Sequence, residues 1–177
     1  MPTSEAELDV RVGTIMFTDL VGFTEYNDSV GDAAALAVLD RQVSILGALL
    51  DGHADGRLVK EIGDGLMVWF AEAANGVVCA IAFLAAINEA RRVSAFPLAM
   101  RVGVHHGEAI ARGDDLVGRT VNIASRVADL AGPGELLVSE DALRACADRQ
   151  PEVRLQPVGP ASVRGVEEPI WLHRFAS

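Results

Sequence analysis

Two aspartates stand out for what they could do together. Asp19 closes an apolar run in IMFTDLVGFT, and Asp64 sits at the tip of EIGDGLMVWF. Two carboxylates brought into one site repel each other unless a cation joins them. Hard oxygen ligands suit Mg²⁺ or Mn²⁺. Two such ions about 3.5–4 Å apart are a recurrent device for in-line phosphoryl displacement. Singly, each residue has a plainer reading. Asp19 could cap the helix that follows, and Asp64-Gly65 could be ordinary hairpin chemistry.

Other side chains could serve a phosphorylated substrate. After Asp19, the turn through Gly22, Phe23 and Thr24 could aim backbone N–H groups at a phosphate, with Gly22 allowing close approach. In RGDDLVGRTVNIASRVAD, Asn122 and Arg126 are four apart and are expected to share a helical face with Arg119. Such a face could hold a sugar and a phosphate, or could be a solvated polar face opposite Val121, Ala124 and Ala128. Lys60 lies on an apolar strand and could snorkel to solvent. Arg101 could be an exposed strand-end charge. His105 and His106 precede Gly107, with neither a nucleophile nor an acid placed by sequence to make a triad with them. No GxSxG, P-loop or HExxH string occurs.

These residues need elements to hold them. A strand is expected over 10–18, with apolar residues on both faces and therefore covered on both sides. Helices are expected over 22–30 and 32–54, the second with Leu36, Leu39, Val43, Leu46 and Leu50 at helical spacing. Strands over 57–62 and 66–70 would join through Gly63-Asp64-Gly65. A helix over 73–93 follows. Then come a strand over 98–105 and a hairpin partner over 108–112, turning at His106-Gly107. A helix over 118–130 is closed by Gly132-Pro133-Gly134. A strand over 135–139, a helix from Glu140 and two or three strands after Pro151 complete the chain. The β-α-β-β-α-β order predicts an α/β (α+β) fold: a ferredoxin-like split βαβ sheet, helices packed on it, and a C-terminal β/α elaboration. In that sheet the first strand and the following hairpin lie side by side, so Asp19 and Asp64 can meet.

Composition narrows the function classes. The 177 residues fit one domain, 1–177, with half of them hydrophobic. A net charge of −10 argues against nucleic-acid or anionic-membrane binding. A polyanionic substrate would have to bind through local cations or metal ions. Cys79 and Cys146 show no ligand spacing and read as reduced, packed thiols of a cytoplasmic protein. No membrane-crossing stretch is expected, and the polar opening MPTSEAELD does not read as a secretory signal.

The strings FTDLVGFT, VKEIGDG, MRVGVHHGE and DLVGRTVNIASR occur in one order across residues 10–139. Together they resemble the class III nucleotidyl cyclase homology domain, and VRGVEEPIWLHRF is similar to that family's final strands. The resemblance implies that Asp19 and Asp64 bind two divalent ions, Mg²⁺ or Mn²⁺. It implies that Lys60 and Asp115 read the purine, Asn122 orients the ribose, Arg126 stabilises the transition state, and Arg101 binds the triphosphate. Arg164-Gly165 stands where the family usually has Lys-Gly, and arginine can still grip phosphate. The implied reaction is adenylate cyclisation, ATP to 3′,5′-cyclic AMP and pyrophosphate. The implied assembly is a two-fold homodimer, with Asp19 and Asp64 from one protomer facing Lys60, Asp115, Asn122 and Arg126 of the other. Two rivals stay open: a noncatalytic module on the same fold, and another two-metal enzyme on a similar sheet, although no GGDEF-like string is present.

Overall fold

In the computed structural model, which describes residues 8–147, 149, 151–152 and 155–176, the first element is strand β1, Val10–Leu20. The polar segment 1–7 lies outside the described residues. Residues 13–18 of β1 are all buried, so both of its faces are covered, as the apolar run predicts. Met16 faces one cluster with Val68, Phe70, Phe83, Val102 and Val104, whereas Ile15 and Phe17 face another with Met67, Ala124 and Ala128.

Helices α1 (Phe23–Val30) and α2 (Asp32–Leu50) follow, then strands β2 (Gly56–Ile62) and β3 (Gly65–Phe70) and helix α3 (Ala73–Arg92). Next come β4 (Met100–Arg112), β5 (Asp115–Val117), α4 (Arg119–Leu130), β6 (Glu135–Ser139), α5 (Glu140–Ala145), β7 (Gln156–Ala161) and β8 (Ile170–Ala176). The sheet order is β2-β3-β1-β4-β6-β8-β7, with β5 paired to β4. β1 lies antiparallel between β3 and β4, and β4 runs parallel to β6. Buried residues of α2, α3 and α5 join the first cluster; of α4, Ala124 and Ala128 join the second, and Ile123 and Val127 a third with Leu137 and Leu172. This is the mixed α/β sheet with helices that the element order predicts.

Three local expectations need correction. The expected turn at His106-Gly107 does not exist: β4 runs straight through it, in unbroken register with β1 from Leu20↔Met100 to Val10↔Ile110. Gly107 serves clearance instead, because a Cβ there would lie 2.7 Å from Thr120 Oγ1 on α4. The chain turns at Gly113, φ +60°, so that Arg112 pairs with Asp115. On α2, Leu46 is buried and Leu39, Val43 and Leu50 pack against the first cluster as their spacing predicts, but Leu36 is 57% exposed, and Ala35, Val38 and Gln42 are buried instead. β2 also carries a register shift between Leu58 and Lys60. Finally, α2 and α3 both reach membrane-crossing length with hydropathy 1.6, contrary to the expectation that no stretch would. Here α3 buries nine residues against the sheet, and α2 packs its buried face into the same cluster.

Candidate active site

The end of β1 and the β2–β3 hairpin meet at the carboxylates. Asp64 Oδ2 accepts a hydrogen bond from Leu20 N at 3.0 Å, directly after Asp19 in the chain. Burial pushes the Asp64 carboxyl above its ordinary value. The Leu20 N–H works against that rise, and the nearby negative charge of Asp19 adds to it. Asp19 does not cap α1: the N-cap is Gly22, φ +76°, with no side-chain cap bond. Asp19 is instead paired across the sheet with Arg101, whose Nε lies 2.7 Å from Asp19 Oδ2. Arg101 also donates from Nη1 to the Asp129 carbonyl at 3.4 Å. The two acids that the sequence separates by 45 positions therefore lie together, with a guanidinium as their present counter-charge.

A cleft of about 310 Å³ opens beside them, lined by Asp19, Lys60, Ile62 and Gly65 on one side and Val121, Asn122, Ser125 and Asp129 on the other. Lys60 Nζ lies 2.7 Å from Asp115 Oδ2, and this bond holds the Asp115 carboxyl below its ordinary value. Asp115 Oδ1 accepts from Leu116 N at 2.8 Å. Gly22 is the N-cap of α1 and Phe23 and Thr24 are its first two residues, just after the strand end that carries Asp19.

Arg126 stands apart from this cleft. Its Nη1 donates to the Arg164 carbonyl, and it lines a neighbouring depression of about 400 Å³ with Asp129, Ser162, Val163 and Arg164. Gly165, φ +75°, leaves room for it: a Cβ there would sit 3.2 Å from Arg126 Nη1. The three residues expected on one helical face of α4 line three different spaces: Asn122 the cleft, Arg126 the depression, and neither is shared by Arg119. It lines a separate cavity of about 370 Å³ with His105, His106 and Trp171. A larger cavity of about 710 Å³, between α3 and Gly132-Pro133-Gly134, contains none of the expected site residues.

Among the described residues no group of three or more His, Cys, Asp or Glu side chains could hold a metal ion. Two adjacent carboxylates nonetheless fit ions that take most of their ligands from water and substrate phosphates, as Mg²⁺ does. The charge of Arg101 on Asp19 marks the same place as one that a cation can occupy.

The model of the adenylate and guanylate cyclase catalytic domain matches residues 7–174. The chain belongs to that family. Putative adenylate cyclase 3 of Rhizobium meliloti (strain 1021) is 30% identical over 92% of this chain and 28% of its own length. The pH-sensitive adenylate cyclase MT1302 of Mycobacterium tuberculosis (strain CDC 1551 / Oshkosh) is 31% identical over 93% of this chain and 40% of its own. The cyclase domain thus spans less than half of either relative. Among solved structures, the adenylyl cyclase CyaB from P. aeruginosa superposes with a TM-score of 0.84 over 97% of both chains at 23% identity. The guanylyl cyclase Cya2 gives 0.80 over 94% of this chain and 92% of its own, also at 23% identity. These likenesses show the class III cyclase fold.

Two residues, one lining the cleft and one behind the Asp64 hairpin, escape sequence reasoning. Asp129 lines both the cleft and the Arg126 depression; its helical spacing from Asn122 and Ser125 is the signal that could have found it. Gln42, a polar residue on the buried face of α2, donates to the Asp64 carbonyl at 2.8 Å. The histidines stay outside the cleft. His105 Nδ1 bonds Ser139 Oγ at 2.8 Å, and the nearest acid, Asp141, approaches the same nitrogen at 4.0 Å. A triad needs serine and acid on opposite ring nitrogens, so this cluster does not form one.

Proposed function

We propose that the cyclase domain is an adenylate cyclase, forming 3′,5′-cyclic AMP and pyrophosphate from ATP. The observation that carries the reading is the juxtaposition of Asp19 and Asp64; the Lys60–Asp115 pair on the same chain is the base-reading half that a two-fold partner would bring to these acids. In the reaction the ribose 3′-oxygen bonds to the α-phosphorus, the bond from that phosphorus to the bridging oxygen breaks, pyrophosphate leaves, and the hydroxyl proton passes to solvent. Asp19 and Asp64 would hold the divalent ions, which when bound would supply Lewis acidity. Arg101 would exchange its bond to Asp19 for one to the triphosphate, and Gly22, Phe23 and Thr24 would offer backbone N–H groups to it. Arg164 would add a forked phosphate contact. Asn122 would orient the ribose, and Arg126 would meet charge developing on the phosphoryl oxygens, a role worth about 10³–10⁵ in rate in other phosphoryl transfers.

Hydrogen-bond sign supports ATP. Lysine only donates and ionised aspartate only accepts. Adenine offers an acceptor at N1 and a donor at N6, whereas guanine offers a donor at N1 and an acceptor at O6. Both relatives named above are called adenylate cyclases, which agrees. The proposed assembly is a two-fold homodimer. Within one chain Arg126 faces the Arg164 carbonyl rather than the Asp19 cleft, so a second chain would complete each site.

The test is product formation by wild type, Asp64→Ala and Lys60→Glu with Mn²⁺ and either ATP or GTP. Wild type should make cyclic AMP and discriminate against GTP, Asp64→Ala should be inactive, and Lys60→Glu should lose its preference for ATP. Equal turnover of both nucleotides by wild type would refute the assignment. Sharing of sites is checked by mixing inactive Asp19→Ala with inactive Arg126→Ala. Random pairing should restore about a quarter of wild-type activity, because half the dimers then carry one intact site.

A further inference from the structure

Gln42 lies in the middle of α2, 1% exposed, on a face otherwise formed by Ala35, Val38 and Leu46. A primary amide in that position must be hydrogen-bonded to avoid a desolvation cost. Only half of it is. Nε2 donates to the main-chain carbonyl of Asp64 at 2.8 Å, while Oε1 is buried with no partner among the described residues. An apolar side chain of the same length would suit the helix face better. The structural gain from the amide is therefore found at the other end of its bond, in the hairpin.

That hairpin has a two-residue loop, Gly63-Asp64, closed by the Ile62↔Gly65 pair and turned by φ +60° at Gly63. Such a loop leaves the orientation of its second residue to whatever ties it down. Asp64 is tied twice: its carboxylate to Leu20 N and its carbonyl to Gln42 Nε2. Thr18 Oγ1 accepts from Leu66 N at 3.1 Å and holds the base of the same loop to β1. The Leu20 bond sets where the carboxylate lies relative to Asp19. The Gln42 bond fixes the peptide plane that the side chain hangs from.

We infer that Gln42 is a positioning residue for the metal-binding hairpin, orienting the Asp64 carboxylate toward Asp19 through the Asp64 carbonyl. The inference rests on the reading of Asp19 and Asp64 as metal ligands. Residues that orient ligands from outside the coordination sphere commonly change metal affinity or activity by about 10–100-fold when replaced.

Gln42→Met keeps length and removes the amide; Gln42→Leu is a second variant in case Met packs badly. Mn²⁺ binding to the nucleotide-free protein is measured from the electron paramagnetic resonance of free Mn²⁺, with Asp64→Asn marking the site-specific part. Melting temperature is measured alongside. The expected result is a fall of about tenfold in site-specific Mn²⁺ affinity, with a melting temperature equal to or above wild type because the unpaired Oε1 is gone. The Mn²⁺ concentration for half-maximal activity should rise in step. Affinity within twofold of wild type in a variant that melts normally would overturn the inference. So would a common fall in melting temperature and affinity in both variants, which would make Gln42 a packing residue. If wild type and Asp64→Asn bind Mn²⁺ equally, the metal reading of Asp64 itself fails, and the role of Gln42 falls with it.

Discussion

The bond between Lys60 and Asp115 joins side chains that are each 38% exposed, and ion pairs at such exposure add about 0–1 kcal/mol to stability. Its value to the molecule is therefore sought in recognition. Asp115→Asn tests this, because an amide can donate as well as accept. The variant should keep its melting temperature while its ratio of kcat/KM for ATP over GTP falls by about tenfold, the size of one mismatched buried hydrogen bond. An unchanged ratio would remove Asp115 from base reading. That Asp19 and Asp64 would meet was legible in the sequence because each ends or interrupts an apolar run, where strand ends and turns must fall. Arg119 misled because a shared helical face is not a shared cleft. Seven residues of helix separate it from Arg126, about 10 Å along the axis, enough to place it in the histidine cavity. Gln42 was hidden because nothing in the sequence of α2 shows that the polar residue between Leu39 and Leu46 meets the carbonyl of a hairpin 22 positions away.

At the scale of elements, glycine decides how closely α4 lies on the sheet. A Cβ at Gly103 of β4 would come within 2.1 Å of Ala128 N and 2.6 Å of Ala128 Cα, both backbone atoms that cannot step aside without moving the helix. Gly103→Ala should cost at least about 1–3 kcal/mol, the range for overpacking. It should also lower activity beyond its effect on folding, because Asn122 and Arg126 ride on α4. Gly47, inside α2 with nothing within 4 Å of its would-be Cβ, is the contrast. Gly47→Ala should stabilise by about 0.5–1 kcal/mol. Thermal melts of the two variants check both signs. The same distinction explains why β4 was misread: a glycine after two histidines looks like a turn, and only the facing helix shows that it marks a close approach. The β2–β3 hairpin was readable because its loop chemistry is local. The register shift before Lys60 was not, because it depends on the partner strand.

For the molecule as a whole, the decline of stability in acid should owe much to a residue outside the Asp19 cleft. His105 is 5% exposed, and burial lowers its pKa to about 4; His106 and Arg119 push in the same direction, and the Asp141 carboxylate opposes them. Burial lowers His106 as well. In the unfolded chain a histidine titrates near its ordinary 6.5. Between pH 6.5 and 4 the unfolded chain therefore holds a proton on His105 that the folded chain refuses, and stability falls as pH falls through that window. The full loss is at most about 3 kcal/mol at 1.36 kcal/mol per pKa unit. The carboxylates that ion pairs hold low, including Asp115 and Glu140, lose their contribution at lower pH, below their ordinary values. Asp64, held high, acts with the opposite sign near and above pH 4. Denaturant unfolding at pH 7, 6, 5 and 4.5 should show the decline beginning below pH 6.5. His105→Asn, whose amide can keep the bond to Ser139 but does not titrate, should flatten it down to the share left by His106. An equal slope in wild type and variant would place the acid sensitivity elsewhere than the β4 core.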